Sequence, residues 1–170
     1  MTLANQITFL RLAFIPLNVV LLLLGLNGLA AFLFLFLSLS DMVDGYIARK
    51  YNQVSELGKL IDPLADKILV MTVLIALVDQ GLASSIPVML IVAREFVISG
   101  VRIMAARAGS ILPAIPSAKW KTTLQMVAIL MIMFSLPFAN LVLWMSVLLA
   151  LLSGGEYLWQ NRQLMQPKSS

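Results

Sequence analysis

The chain contains neither cysteine nor histidine. Without cysteine, disulfides and thiolate-bound metals are excluded. Without histidine, the usual proton-transfer group near neutral pH is missing, and so is the commonest transition-metal ligand. Any bound metal must be a hard cation on oxygen ligands, and any general base must be a carboxylate, Lys or Tyr. Charge is also scarce. Only 12% of the 170 residues are charged, about half the share in an ordinary soluble domain. Intrinsic disorder is excluded as well, because it needs low hydrophobicity and high net charge.

What the sequence does hold is apolar. Apolar residues make up 61% of the chain and the mean hydropathy is +0.96. Such a composition points to an all-α integral membrane protein, since an open sheet cannot stand in lipid and the apolar runs do not alternate. At about 20 residues per spanning helix, the length accommodates six transmembrane helices with loops. The spans fall at roughly 5–24, 29–50, 57–79, 86–108, 117–136 and 138–160, separated by Gly, Asn, Ser and Pro clusters. One membrane domain over 1–170 is expected, with no internal repeat.

Charge decides between a hairpin and one long span after Arg11. With six spans, all twelve basic residues fall on one side or lean toward it, and the opposite loops carry only Asp79. The positive-inside rule makes that side cytoplasmic, with both termini inside. The alternative for the first span is a cleaved leader ending near Leu29-Ala30-Ala31. Its removal would leave five spans and break the charge agreement.

The informative stretch runs from Asp41 to Asp66. On a helix at about 100° per residue, Asp44, Gly45 and Ala48 all lie within about 60° of Asp41. Asp62 and Asp66 are one turn apart on the next helix, and Gly58 lies one turn before Asp62. Two helix ends joined by a short inside loop thus present four carboxylates to each other. Small residues on the same faces leave room for a ligand or a neighbouring helix. Four ionised acids this close repel strongly, and a membrane setting adds to the cost. A divalent cation relieves it, and two cations about 3.5–4 Å apart would clamp a phosphoryl group during displacement. The bland reading, four solvated surface acids, does not account for the spacing or for the small residues. Asp62-Pro63 leaves two options open: Pro63 begins a helix capped by Asp62, or sits inside a helix begun near Leu57.

Asp41-x2-Asp44-Gly45-x2-Ala48-Arg49-x8-Gly58-x3-Asp62-x3-Asp66 resembles the signature of the CDP-alcohol phosphotransferase family at every signature position, over 26 residues. Span count and chain length resemble that family too. Three flanking motifs resemble those of members that take glycerol 3-phosphate as acceptor. They are Asn5-x2-Thr8-x2-Arg11, Ala93-Arg94-Glu95-x4-Gly100-x-Arg102 and Lys119-Trp120-Lys121-Thr122-x2-Gln125. One departure is Ser117-Ala118 before Lys119, where the resemblance leads one to expect Gly.

The resemblance implies a six-helix bundle of that family's type and two divalent cations, Mg²⁺ or Mn²⁺. Carried over residue by residue, Asp41, Asp44 and Asp62 are metal ligands. Asp66 touches one metal and takes the proton of the incoming hydroxyl. With no histidine present, a carboxylate base agrees with the chemistry. Gly45, Ala48, Arg49 and Gly58 would line the site of the CDP-lipid, CDP-diacylglycerol, with Asn5, Thr8 and Arg11 adding polar contacts. For Arg11 an ordinary topological flank is an equal alternative. Arg94, Arg102 and Lys119 would bind the phosphate of the acceptor, glycerol 3-phosphate. The alternative for Arg94 is an ion pair with Glu95. Membrane lipids and a second copy of the chain, forming a homodimer, are the implied partners; the cell inner membrane is the implied location, and no nucleic-acid partner is expected.

Lys121 and Arg107 are expected to anchor at anionic headgroups, and Trp144 and Trp159 at the interface. Phe32, Phe34 and Phe36 read as lipid-facing or packing residues, and Gly154-Gly155 as a helix contact or hinge. The acidic signature alone does not choose among acceptors such as inositol phosphate, serine, choline or phosphatidylglycerol; the three cations favour a phosphorylated one. A small cation-coupled transporter would use the same acids as an ion site. It would be expected to show repeats or broken helices at the membrane midplane, and neither is visible in the sequence.

Overall fold

A computed structural model describes the backbone of residues 3–50, 56–107 and 116–162, and the side chains of residues 8–40, 64–105 and 120–162. Among the described residues there are six helices and no strand. They are α1 (Leu3–Leu23), α2 (Asn27–Lys50), α3 (Glu56–Asp79), α4 (Ser85–Arg107), α5 (Pro116–Met133) and α6 (Ala139–Gln160). Each boundary lies within three residues of the span read from the sequence. The helix α3 already runs before Pro63, so this proline sits inside the helix and does not begin it.

The largest boundary difference is at the end of α5, which stops at Met133 where the sequence reading carried it to 136. The cause is a left-handed cap. Ser135 has φ 53°. Its N–H donates to the Ile132 carbonyl at 2.9 Å and the Leu136 N–H to the Met131 carbonyl at 2.9 Å. This is the Schellman arrangement, which satisfies the orphan carbonyls of a helix end. The same pair of bonds closes α1 at Gly25, whose φ is 73°. Glycine adopts that conformation freely, whereas serine does so against a steric cost.

The helices group into two compact units. The first comprises Met1–Ala83 with Leu130–Leu136. Here α1 packs on α3 and on α2. The buried faces repeat at helical spacing: Ala30, Phe34 and Leu37 on α2, and Leu69, Val73 and Leu77 on α3. Polar ties cross the same interfaces. The fully buried Asn18 donates to the Ala30 carbonyl at 2.8 Å, and the Gln80 amide donates to the Leu22 carbonyl. Phe34 is buried, while Phe32 and Phe36 are largely exposed, so the aromatic stripe divides between packing and outer surface.

The second unit comprises Ser84–Ile129 with Pro137–Ser170, and within it α4 packs on α6. The contact face of α4 runs through Ile91, Glu95, Ile98 and Val101; that of α6 runs through Val147, Ala150, Ser153, Gly154 and Tyr157. By length and composition α6 can cross a membrane, and Thr8–Leu23, Asn27–Ser40 and Trp120–Met133 are shorter apolar helical stretches among the described residues.

Candidate active site

The acidic signature lies in the first unit. Asp41, Asp44, Gly45, Ala48 and Arg49 fall in the last three turns of α2, and Gly58, Asp62 and Asp66 in the first three turns of α3. Both segments are helical, so the register used to place Asp41 with Asp44, and Asp62 with Asp66, holds along each backbone. The side chains of Asp41, Asp44, Arg49 and Asp62 lie outside the described residues, as do those of Asn5 and Lys119 and the surroundings of Gly45, Ala48 and Gly58. Asp66 is described and is partly buried, beside the fully buried Ala65. Among the described residues no group of three or more acids forms a metal cluster; three of the four signature acids fall outside that set. The donor chemistry of the four is uniform, carboxylate oxygen only, and suits a hard divalent cation.

Two residues that the resemblance implies as polar contacts to the CDP-lipid sit in this unit on α1. Thr8 and Arg11, one turn apart, are both only 2% exposed. Arg11 borders a small cavity of about 100 Å³ with Phe36, Leu37 and Ser40 of α2.

The second unit holds Arg94, Arg102 and Lys121, and it arranges them differently from one another. Arg94 is woven into the contact between α4 and α6. Its Nε donates to the Ala150 carbonyl at 3.1 Å and its Nη2 to Ser153 Oγ at 3.2 Å. Its Nη1 meets the Glu95 carboxylate at 2.6 Å. A Cβ on Gly154 would lie 3.3 Å from Arg94 Nε, so the absence of a side chain there is what lets the guanidinium approach α6. The ion pair with Glu95 that the sequence offered as an alternative is present. These contacts engage three of the five guanidinium N–H donors.

Lys121 corrects an expectation. It is buried and pairs with the same Glu95 oxygen, so it is not a headgroup anchor. A carboxylate shared by two cations offsets part of the cost of burying them. Arg102 lies two turns beyond Arg94 on the same side of α4. Its guanidinium carbon stands 5.6 Å from the ring centroid of Tyr157 on α6. Its Nε is buried without a hydrogen-bond partner among the described residues, and so is the Tyr157 hydroxyl.

Sequence reasoning did not single out Tyr157 or Ser153. The signal was available in part: Tyr157 falls on the Val147, Ala150, Ser153, Gly154 face of α6 at helical spacing, and it is the one tyrosine of that helix. Its partner on α4 was not readable from spacing.

These features can be compared with known proteins. The CDP-alcohol phosphatidyltransferase family matches residues 1–152 of the chain. The chain belongs to that family. Among its relatives is the CDP-diacylglycerol–glycerol-3-phosphate 3-phosphatidyltransferase of Bacillus subtilis (strain 168), 36% identical, with 96% of this chain and 97% of that protein covered. The protein of the same name from Rickettsia bellii is 38% identical over 91% of this chain and 92% of its own length. That of Pseudomonas fluorescens is 32% identical over 98% and 89%.

Proposed function

We propose that the chain transfers the phosphatidyl group of CDP-diacylglycerol to sn-glycerol 3-phosphate, giving phosphatidylglycerophosphate and CMP. The observation that carries this reading is the likeness, over nearly the whole of both chains, to relatives bearing the name of that activity. The residue pattern supports it: an all-aspartate set for cations beside small residues, and basic side chains for a phosphorylated acceptor.

In this reading Asp41, Asp44, Asp62 and Asp66 hold two divalent cations, Mg²⁺ or Mn²⁺. When bound, the cations neutralise the diphosphate and make its phosphorus more electrophilic. Asp66 accepts the proton of the glycerol hydroxyl as that oxygen attacks the lipid-linked phosphorus, and CMP departs. Asn5, Thr8, Arg11, Gly45, Ala48, Arg49 and Gly58 bind the CDP-lipid. The buried positions of Thr8 and Arg11 fit contacts made away from bulk water. Arg94, Arg102 and Lys119 bind the acceptor phosphate, with Glu95 orienting Arg94. The protein's contribution is alignment and charge neutralisation.

The same reading places the chain in the cytoplasmic membrane as six spans, with the acids and both termini at the cytoplasmic face and a second copy as partner. Large exposed apolar side chains on the helices, such as Phe32, Phe36 and Phe96, support a lipid surround. So does Trp159 at the end of α6, exposed and carrying Arg162 over its ring at 4.5 Å, an arrangement suited to a headgroup layer.

The test is acceptor by acceptor. Purified protein with Mg²⁺ or Mn²⁺ and labelled CDP-diacylglycerol should release CMP only when glycerol 3-phosphate is present. Release with inositol phosphate and none with glycerol 3-phosphate would overturn the reading.

A further inference from the structure

Within the second unit, two hydrogen-bond donors are buried without a partner among the described residues. One is Arg102 Nε; the other is the hydroxyl of Tyr157, a residue only 3% exposed. Buried polar groups are nearly always paired, so each such group calls for a reason. A phenylalanine would fill the same space against Ile98 and Val101 and carry no unpaired hydroxyl. Among the described residues no carboxylate neutralises Arg102, whereas Arg94 and Lys121 share Glu95. The guanidinium of Arg102 lies over the Tyr157 ring at 5.6 Å, and the phenolic oxygen is fixed to that ring. Two donors lacking acceptors, one of them cationic, define a complement to an anion and not to an apolar group or a cation.

We propose that the Tyr157 hydroxyl binds the phosphate of the acceptor jointly with Arg102, making Tyr157 a substrate-binding residue contributed by α6. This inference rests on the reading of the acceptor as glycerol 3-phosphate. Arg102 supplies charge, and Tyr157 supplies a donor whose position is fixed by its buried ring. Tyr157 distinguishes a phosphorylated acceptor from its unphosphorylated alcohol, because a hydroxyl placed for a phosphate oxygen finds no partner when only glycerol is bound.

The experiment compares the wild type with Tyr157→Phe. In the variant the KM for glycerol 3-phosphate should rise about tenfold or more, the loss expected of a hydrogen bond to a charged group. The KM for CDP-diacylglycerol should stay within twofold. The substrate-free melting temperature should hold or rise, since the change deletes an unpaired hydroxyl. Glycerol 3-phosphate should raise the melting temperature of the wild type more than that of the variant. The double variant Tyr157→Phe/Arg102→Gln should lose less than the sum of the single losses, as for two groups on one ligand. An unchanged KM for glycerol 3-phosphate in Tyr157→Phe, with the wild type active, overturns the inference alone. A lowered melting temperature with both KM values altered alike assigns the hydroxyl to packing and overturns it too. If the wild type releases no CMP with glycerol 3-phosphate, the functional reading falls, and this inference falls with it.

Discussion

Removing the negative charge of Glu95 would take a shared carboxylate from the part-buried Arg94 and the buried Lys121 in the second unit. Breaking a buried pair by deleting one partner costs about 3–5 kcal/mol, far more than losing a surface pair. Glu95→Gln should therefore lower the melting temperature of the detergent-solubilised protein markedly. Adding Lys121→Met to that variant should restore part of the loss, because one of the two cations that shared Glu95 is gone. If Glu95→Gln melts like the wild type, the shared carboxylate is not what holds the cations. At Asp66 the expectation is chemical and not structural. Asp66→Asn keeps size and shape but cannot accept a proton, so CMP release should fall to background while binding of CDP-diacylglycerol remains measurable. Full turnover in that variant would remove Asp66 as the base.

At the scale of the element, the helix ends carry the clearest physics. Gly25 and Ser135 close α1 and α5 with the same two hydrogen bonds and the same left-handed backbone. For a residue with a Cβ that conformation costs about 1–2 kcal/mol, and the gain from glycine is offset by about 0.4–1 kcal/mol through the freer unfolded chain. Ser135→Gly should thus stabilise by a few tenths to about 1 kcal/mol, read as a small rise in melting temperature. This also explains what was legible in the sequence. The end of α1 was readable because Gly25 announces it. The end of α5 was not, because serine gives no comparable signal and Pro137 drew the boundary downstream. Pro63 left two readings open, since proline is as much at home in a first turn as it is disruptive later; the earlier start of α3 settles the matter in favour of the second. Helix existence followed from apolar length alone. The pairing of Lys121 with Glu95 did not, because a contact between helices leaves no periodic trace in either one.

Taken as a whole molecule, the chain keeps its two candidate clusters in different units. The aspartate signature belongs to the first unit, and the Arg94, Glu95, Lys121 and Arg102 group to the second. Arg94 and Arg102 were read as phosphate ligands from their spacing on one helix. That spacing did put both on the side of α4 that meets α6, but it could not show that one is engaged by Glu95 and the other by a tyrosine ring. The lack of native cysteine makes the six-span topology directly testable. In sealed vesicles of known orientation, a membrane-impermeant thiol reagent should label Gln53→Cys from the cytoplasmic side and Ser84→Cys only from the other. Labelling of both from one side would refute the arrangement.

Arg94 and its carboxylate partner are consecutive in the chain, whereas Lys121, Ala150 and Ser153 are supplied by α5 and α6. During synthesis α4 leaves the ribosome before either of those helices exists. Arg94 thus travels with its own counter-ion from the start, while Arg102 and Arg107 leave α4 as a whole basic. The later helices then lock into place a charge that was already balanced at birth.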